Sequence, residues 1–424
     1  MTGDGQRTSS GQAQREAGKG RASGWVSVWA SHLARLTDWK GLRAVKIVSI
    51  STLIVHVNHR GDWLHVVVET DAGITGVGEA SHNGNDALCA AAVGQFDAVL
   101  RGADPREIAR IRQLLRRKDG GRVYNTALSG LEQALWDMLA QSLGVPLQVL
   151  FGGAVRDRLR LYANINRHVM DRSPDGFARA ARQAADEGFT AIKMAPFDEL
   201  RHPYRYRTGP NADWRAGVER VRAVRKAIGD RVELAVDCHS RMEVSEAVVV
   251  GQELAELNLF WYEEPVTYKD PKGLAAVGGS VPQPIASAES VYGIEGFLPF
   301  TAERCVDVIM PDVKHCGGIL ELNEIAAAAR MRQVLVAPHN PAGPLSTAAT
   351  AQAASTWSNF YILEFAWGEV DWRSGLLSPA ERIEEGHLIL SQEPGMGHRL
   401  NPQTVEAHRV TGASIADSSK VQFG

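Results

Sequence analysis

Apolar positions change their period twice along this chain, and each change marks a different kind of element. The segment VKIVSISTLIVHV, starting at Val45, is rich in β-branched residues. WLHVVVETDAGITGVGEA then reads as a strand, an Asp-Ala-Gly turn and a second strand. Together they predict an antiparallel sheet opening a small α+β domain. Across residues 85 to 150 Ala, Leu, Arg and Gln recur at three- to four-residue spacing, which is the period of helices. From about Leu159 short apolar runs alternate with longer helical stretches such as PDGFARAARQAADEGF and ILELNEIAAAARMRQ. The runs are LRLYA, TAIKM, VELAV, LFWYE, PIASA, CVDVIM, VLVAP and FYILEF, and eight of them predict an α/β fold with an eight-stranded parallel barrel. An open doubly wound sheet is the alternative. Its dinucleotide-binding form is disfavoured, because Gly76 and Gly78 form only GVGE and no GxGxxG follows the early strand.

The chain ends read differently. MTGDGQRTSSGQAQREAGKG is polar and Gly-rich and cannot offset its ordering entropy by burying an apolar face, so a disordered extension is expected. A short apolar or amphipathic segment follows from Trp25 to Leu42. The expected organisation is a flexible extension over 1–43, a capping domain over 44–155, a barrel over 156–385 and a C-terminal segment over 386–424 returning to the capping domain.

Composition narrows the function. The chain carries 46 basic and 49 acidic side chains, a formal charge of −3, so no concentrated positive surface for nucleic acid is expected. No apolar run approaches the ~20 residues needed to cross a membrane, and no secretory signal pattern opens the chain. Cys89, Cys238, Cys305 and Cys316 show no paired spacing, which fits a reducing cytoplasmic setting.

Chemistry gathers at the strand ends. Asp237 follows VELAV, Glu263 follows LFWY and Glu289 follows PIASA, each 26 residues from the next, one strand-to-strand repeat. Residues just past barrel strands sit at the mouth where barrel active sites lie. Three converging carboxylates are costly without a cation, and hard Mg²⁺ accepts such oxygens. Acidic strand ends also serve as helix caps or loop salt bridges. Asp312 follows CVDVIMP, His339 follows VLVAP and Glu364 lies in YILEF, so a closed barrel can set Asp312 beside His339 and orient its imidazole to accept a proton. Lys193 lies near the end of TAIKM, and His239 can share a face with Asp237 two residues earlier.

The ordered set SGLEQALWDMLAQSLGVPLQVLFGG, WYEEP, PDVKHCGG and APHNPAGP resembles the enolase superfamily in its mandelate racemase branch, over about residues 45 to 405. The resemblance implies a modified (β/α)₈ TIM barrel, of (β/α)₇β type, with an α+β capping domain. It implies Mg²⁺ ligation by Asp237, Glu263 and Glu289, a base dyad of Asp312 and His339, and Glu364 as a hydrogen-bonding acid. VDCHS resembles the Asp-x-His form of galactonate dehydratases and related acid-sugar dehydratases. That match implies that His339 removes the C2 proton of an aldonate or aldarate while His239 assists loss of the C3 hydroxyl, giving a 2-keto-3-deoxy acid.

Two departures bear on specificity. The racemase form carries Lys-x-Lys on the second strand, whereas this chain reads Lys193-Met194-Ala195, which weakens two-base racemisation. Galactonate dehydratases commonly place arginine after the third ligand, whereas Ser290 follows Glu289 here. Racemisation or epimerisation, cycloisomerisation and a non-catalytic binding protein remain the alternatives. Family analogy makes His59, Arg60, Trp63, His82 and Asn83 candidate substrate readers, with Arg241, Trp367, Trp372 and the run 201–210 as further candidates. The expected partner is a small carboxylate, with no nucleic acid or membrane, and a homo-oligomeric assembly is expected by the same analogy.

Overall fold

The computed structural model describes residues 45–117, 119–201 and 213–410. The expected extension over 1–43, the 201–210 run beyond Arg201 and the end of the C-terminal segment lie outside them. Strands β1 (Ile47–Asn58), β2 (Gly61–Thr70) and β3 (Thr75–Glu79) form an antiparallel sheet in the order β1-β2-β3. The expected turn falls at 71–73, where Gly73 takes φ 74°.

Helices α1 (Asp86–Leu100), α2 (Ile108–Leu115) and α3 (Gly121–Leu143) supply the helical half of this unit. Their apolar faces enclose a core with the sheet, including Leu64, Val66, Phe96, Leu131 and Leu135. Gly76 and Gly78 have a packing role here. A Cβ on either would run into the α3 backbone, at the carbonyls of Ala134 and Gly130 respectively, so glycine lets sheet and helix approach closely.

The barrel follows as β4 (Arg158–Asn164), β5 (Ala191–Met194), β6 (Glu233–Asp237), β7 (Trp261–Glu263), β8 (Ile285–Ser287), β9 (Val308–Ile309), β10 (Leu335–Val336) and β11 (Leu363–Ala366). Neighbours from β4 to β10 pair in parallel, β11 pairs with β4, and a bridge from Val336 to Phe360 closes the remaining seam. All eight expected runs are strands. Those from CVDVIM and VLVAP are only two residues long, because Pro311 and Pro338 follow and proline donates no ladder hydrogen bond.

Between the strands run α4 (Pro174–Asp186), α5 (Arg215–Ile228), α6 (Val244–Glu253), α7 (Pro271–Gly278), α8 (Ile294–Ala302), α9 (Ile319–Met331) and α10 (Pro344–Ala354). Inside the barrel, Tyr162 and Trp261 meet edge to face at 5.2 Å between ring centroids. Ala191, Ala235, Ala286 and Ala337 leave them room. This aromatic plug is the floor on which the polar mouth rests.

Two carboxylates of the capping unit close barrel helices that have glycine rather than a side-chain cap at their start. Glu132 accepts from Ile319 N at 2.6 Å and Leu320 N at 2.9 Å, at the start of α9. Glu79 accepts from Gly343 N at 2.9 Å and Ser346 N at 3.0 Å, at the start of α10. Such bonds satisfy amides that a helix leaves open at its start. After β11 the chain adds β12 (His387–Ile389) antiparallel to β4, and Met396 N then reaches Asp137 on α3 at 2.8 Å. No helix among the described residues is long and apolar enough to cross a membrane.

Candidate active site

The strand ends converge over the aromatic plug. Asp237 closes β6 and Glu263 closes β7, in direct register with each other, while Glu289 stands two residues beyond β8. One carboxylate oxygen from each of Asp237, Glu263 and Glu289 lies within 4.8 Å of the others. Several turns at these ends are backbone-strained. His239 (φ 47°), Ser240 (φ 57°), Glu264 (φ 38°) and Ala288 (φ 85°) all occupy the left-handed region that side chains disfavour. Such strain persists where surrounding contacts fix the conformation, commonly at functional sites.

Glu264 supplies part of that fixing. It accepts from Ser240 Oγ at 2.9 Å and Ser287 Oγ at 3.2 Å, tying three loops together beneath the cluster. Burial, with Glu289 and Asp237 nearby, pushes its carboxyl up to about 7.

Electrostatics set what the cluster can hold. Burial and the neighbouring Asp237 raise the Glu263 carboxyl well above its ordinary range, more than Lys193 can offset. Burial acts the same way on Asp237, but His239 and Lys193 overcome it and hold Asp237 far below the usual range. Three anionic oxygen donors around one point, with one member resisting ionisation, suit a hard divalent cation. The triad is therefore capable of coordinating a divalent metal ion.

Lys193 is a buried cation among these carboxylates. Its Nζ lies 2.8 Å from Glu263, 2.9 Å from Glu364 and 3.4 Å from Asp237. Burial alone would discharge the ammonium, yet the surrounding carboxylates raise its pKa well above the ordinary value. Glu364 is further held by Asn164 Nδ2 at 2.7 Å and Asn340 N at 2.8 Å. Burial opposes its ionisation, but Lys193, His339 and the Asn340 amide lower its pKa.

Two imidazoles stand at the ends of the cluster. His339 Nδ1 is 2.7 Å from Asp312, and its Nε2 is 3.2 Å from Glu289. Burial would neutralise Asp312, but Lys314 Nζ at 2.6 Å, with His315 and His339, keeps its pKa well below normal. At the other end His239 Nε2 is 3.2 Å from Asp237, and its Nδ1 is 2.6 Å from Asp198.

A cavity of about 370 Å³ opens onto these groups. Of the sequence-derived candidates, Lys193, Asp237, His239, Glu289 and His339 line it, together with Arg60, Trp63, His82 and Asn83 from the capping unit. His59 is exposed at a turn tip outside that lining. Arg241 is also outside it, and Trp367 is committed elsewhere, donating to Glu187 at 2.6 Å and packing on His168. Trp372 packs edge-on against Trp63 at 5.3 Å. Sequence reasoning passed over Asp198, Lys314, Asn164 and Arg122. Arg122 lines the cavity from the first turn of α3 and donates to Ser290 Oγ at 3.0 Å. The capping unit thus brings a guanidinium to the serine that follows the third carboxylate.

His82 offers a test of this wall. Burial, then the charges of Arg122 and Lys314, lower its pKa from 6.5 to about 4. The fold therefore favours neutral imidazole, and this contribution is complete above pH 6.5 and lost as pH falls toward 4. Discounted for partial exposure, the effect is about 1–2 kcal/mol. His82→Gln should lose less stability than the parent by that amount between those limits in urea unfolding. Parallel losses would show that His82 is not titrating against the fold.

Comparison with known proteins agrees with this architecture. Residues 44–152 match the mandelate racemase / muconate lactonizing enzyme N-terminal domain, and 176–404 match the enolase C-terminal domain-like family. The chain is 33% identical over 388 residues to a D-xylonate dehydratase of Haloferax volcanii, covering 89% of this chain and 92% of that one. It is 33% identical over 352 residues to a D-galactonate dehydratase of Verminephrobacter eiseniae, covering 81% and 90%. The crystal structure of a mandelate racemase/muconate lactonizing enzyme-like protein from Rubrobacter xylanophilus superposes with a TM-score of 0.80 at 32% identity, over 87% of this chain and 98% of that one. The chain belongs to the enolase superfamily, in its mandelate racemase/muconate lactonizing branch.

Proposed function

We propose that this protein is a Mg²⁺-dependent acid-sugar dehydratase that removes the C2 proton of an aldonate or aldarate and expels the C3 hydroxyl. The observation that carries this reading is the pair of imidazoles at the two ends of the carboxylate cluster. His239 touches Asp237, and His339 touches Glu289. An elimination needs both a base and an acid near one substrate, because hydroxide is a poor leaving group. The dehydratase relatives, whose substrates are acid sugars, support the same class.

Asp237, Glu263 and Glu289 would hold the Mg²⁺. When bound, the ion supplies a hard Lewis acid that stabilises charge on the substrate carboxylate as C2 is deprotonated. His339 Nε2 takes the C2 proton, with Asp312 holding Nδ1 and fixing the ring. Lys193 donates to the negative charge that develops on the carboxylate oxygens, and the Glu364 carboxylate holds Lys193 in place. His239 gives a proton to the departing C3 oxygen, which leaves as water. The resulting enol takes up a proton at C3 and releases its C2 hydroxyl proton to give the 2-keto-3-deoxy acid. Ala195 carries no exchangeable proton, so two-base racemisation through the second strand has no partner there. The four cysteines, all buried and free, fit a reducing cytoplasmic setting.

The test is a panel of hexonates, pentonates and aldarates incubated with Mg²⁺, read for 2-keto-3-deoxy products and for C2 exchange in D₂O. At least one acid should give product, and chelation with EDTA should abolish it. Exchange without product would move the assignment to racemisation. Neither signal with any acid would overturn the dehydratase reading.

A further inference from the structure

We propose that Asp198 is a positioning residue for His239, so that the site holds a second carboxylate–imidazole pair beside that of Asp312 and His339. The proposal rests on the reading of His239 as the group that protonates the leaving hydroxyl. Asp198 comes from the loop after β5, not from the turn after β6 that carries His239. Its Oδ1 lies 2.6 Å from His239 Nδ1, at least as short as the 2.7 Å between Asp312 and His339.

The loop is built to hold that carboxylate still. Phe197, adjacent to Asp198, is 2% exposed in the barrel core. It packs so tightly against α5 that a Cβ on Gly217 would enter its ring. Arg172 donates to Ala195 O at 2.6 Å and lies 3.2 Å from Asp198 Oδ2. One carboxylate oxygen thus faces an anchoring cation while the other faces the imidazole.

His239 has little freedom of its own to set this geometry. Its backbone stands at φ 47°, with its amide donating to Asp237 Oδ1 at 3.0 Å. The ring is then held at Nδ1 by Asp198, which leaves Nε2, 3.2 Å from Asp237 Oδ2, as the other nitrogen of a side chain that lines the cavity. To give a proton the ring must be an imidazolium, and a carboxylate holding Nδ1–H leaves Nε2–H as the proton that reaches the substrate. Without Asp198 the ring can rotate, and proton delivery to C3 suffers while proton removal by His339 does not.

That asymmetry defines the experiment. With an acid that gives product, Asp198→Asn should lower 2-keto-3-deoxy product formation by about 30-fold or more while C2 exchange stays within about 3-fold of the parent. His239→Asn, measured alongside, should show the same split more strongly. Equal losses in both signals, or none in either, would overturn the Asp198 assignment when His239→Asn shows the split. Should His239→Asn show no split, the acid role of His239 falls and the Asp198 proposal falls with it. An absence of product from every acid with the parent protein is a different failure, that of the dehydratase reading itself. Should Asp198→Asn not fold, ¹⁵N spectra of the parent imidazoles decide: His239 is expected to be protonated and hydrogen-bonded at Nδ1, and a bare Nδ1 would overturn the proposal.

Discussion

His339→Asn is expected to suppress C2 proton exchange by about 10³-fold or more, within the range that a positioned base contributes, while leaving the fold intact. The variant separates chemistry from stability because of how Asp312 is held. Removing one partner of a buried ion pair is normally destabilising, and Asp312 is fully buried. Here the carboxylate keeps Lys314 Nζ at 2.6 Å and the Lys314 amide at 2.7 Å after the imidazole is gone. Asparagine therefore removes the proton acceptor without stranding a charge. Proton NMR in D₂O reads the exchange, and thermal melting checks the fold. Exchange at the parent rate in a folded variant would remove His339 from the base role.

Much of this site was legible in the sequence because barrel geometry couples strand pattern to chemistry. Parallel barrel strands are buried on both faces, so they appear as unbroken apolar runs, and a charged residue closing such a run stands out. Asp237, Glu263, Glu289, Asp312, His339 and Glu364 were all visible in that way, and the structure brings them together. Asn164 closes β4 and pairs in register with Lys193, yet an amide carries no charge to draw notice. Lys314 was read only as part of PDVKH, although its spacing of two from Asp312 puts it against that carboxylate.

Other residues were hidden for physical reasons. Asp198 lies four residues beyond β5 in a loop with no period, and its partner comes from the next strand. Arg122 sits in a helix of the capping unit, and only tertiary packing brings it to Ser290. Loop membership also says nothing about side-chain direction. Arg60 lines the cavity while the adjacent His59 does not, and Trp367 turns toward Glu187 although Glu369, two residues on, lines the cavity.

Lys193→Met should produce the largest loss of stability of any single change at this site, about 3–5 kcal/mol in the absence of divalent ions. The lysine is 1% exposed and has three carboxylate neighbours, Glu263, Glu364 and Asp237, within 3.4 Å. Methionine preserves most of the side-chain volume, so the loss isolates charge from packing. Glu263, already raised by burial and by Asp237, then loses its main counterweight, while Asp237 keeps His239 at 3.2 Å and Glu364 keeps the Asn340 amide at 2.8 Å. A divalent ion held by Asp237, Glu263 and Glu289 would restore part of that charge balance. Mg²⁺ should consequently raise the melting temperature of the variant more than that of the parent. Dehydration should still fall by about 10²–10³-fold with the ion present, because a preorganised donor to the developing charge is gone. Melting curves in EDTA and in Mg²⁺ test both halves of the argument. A variant that melts with the parent in EDTA would show that Lys193 does not hold the carboxylate cluster together. A variant stabilised no more than the parent by Mg²⁺ would separate the lysine from the cation site and leave it a role toward Glu364 alone.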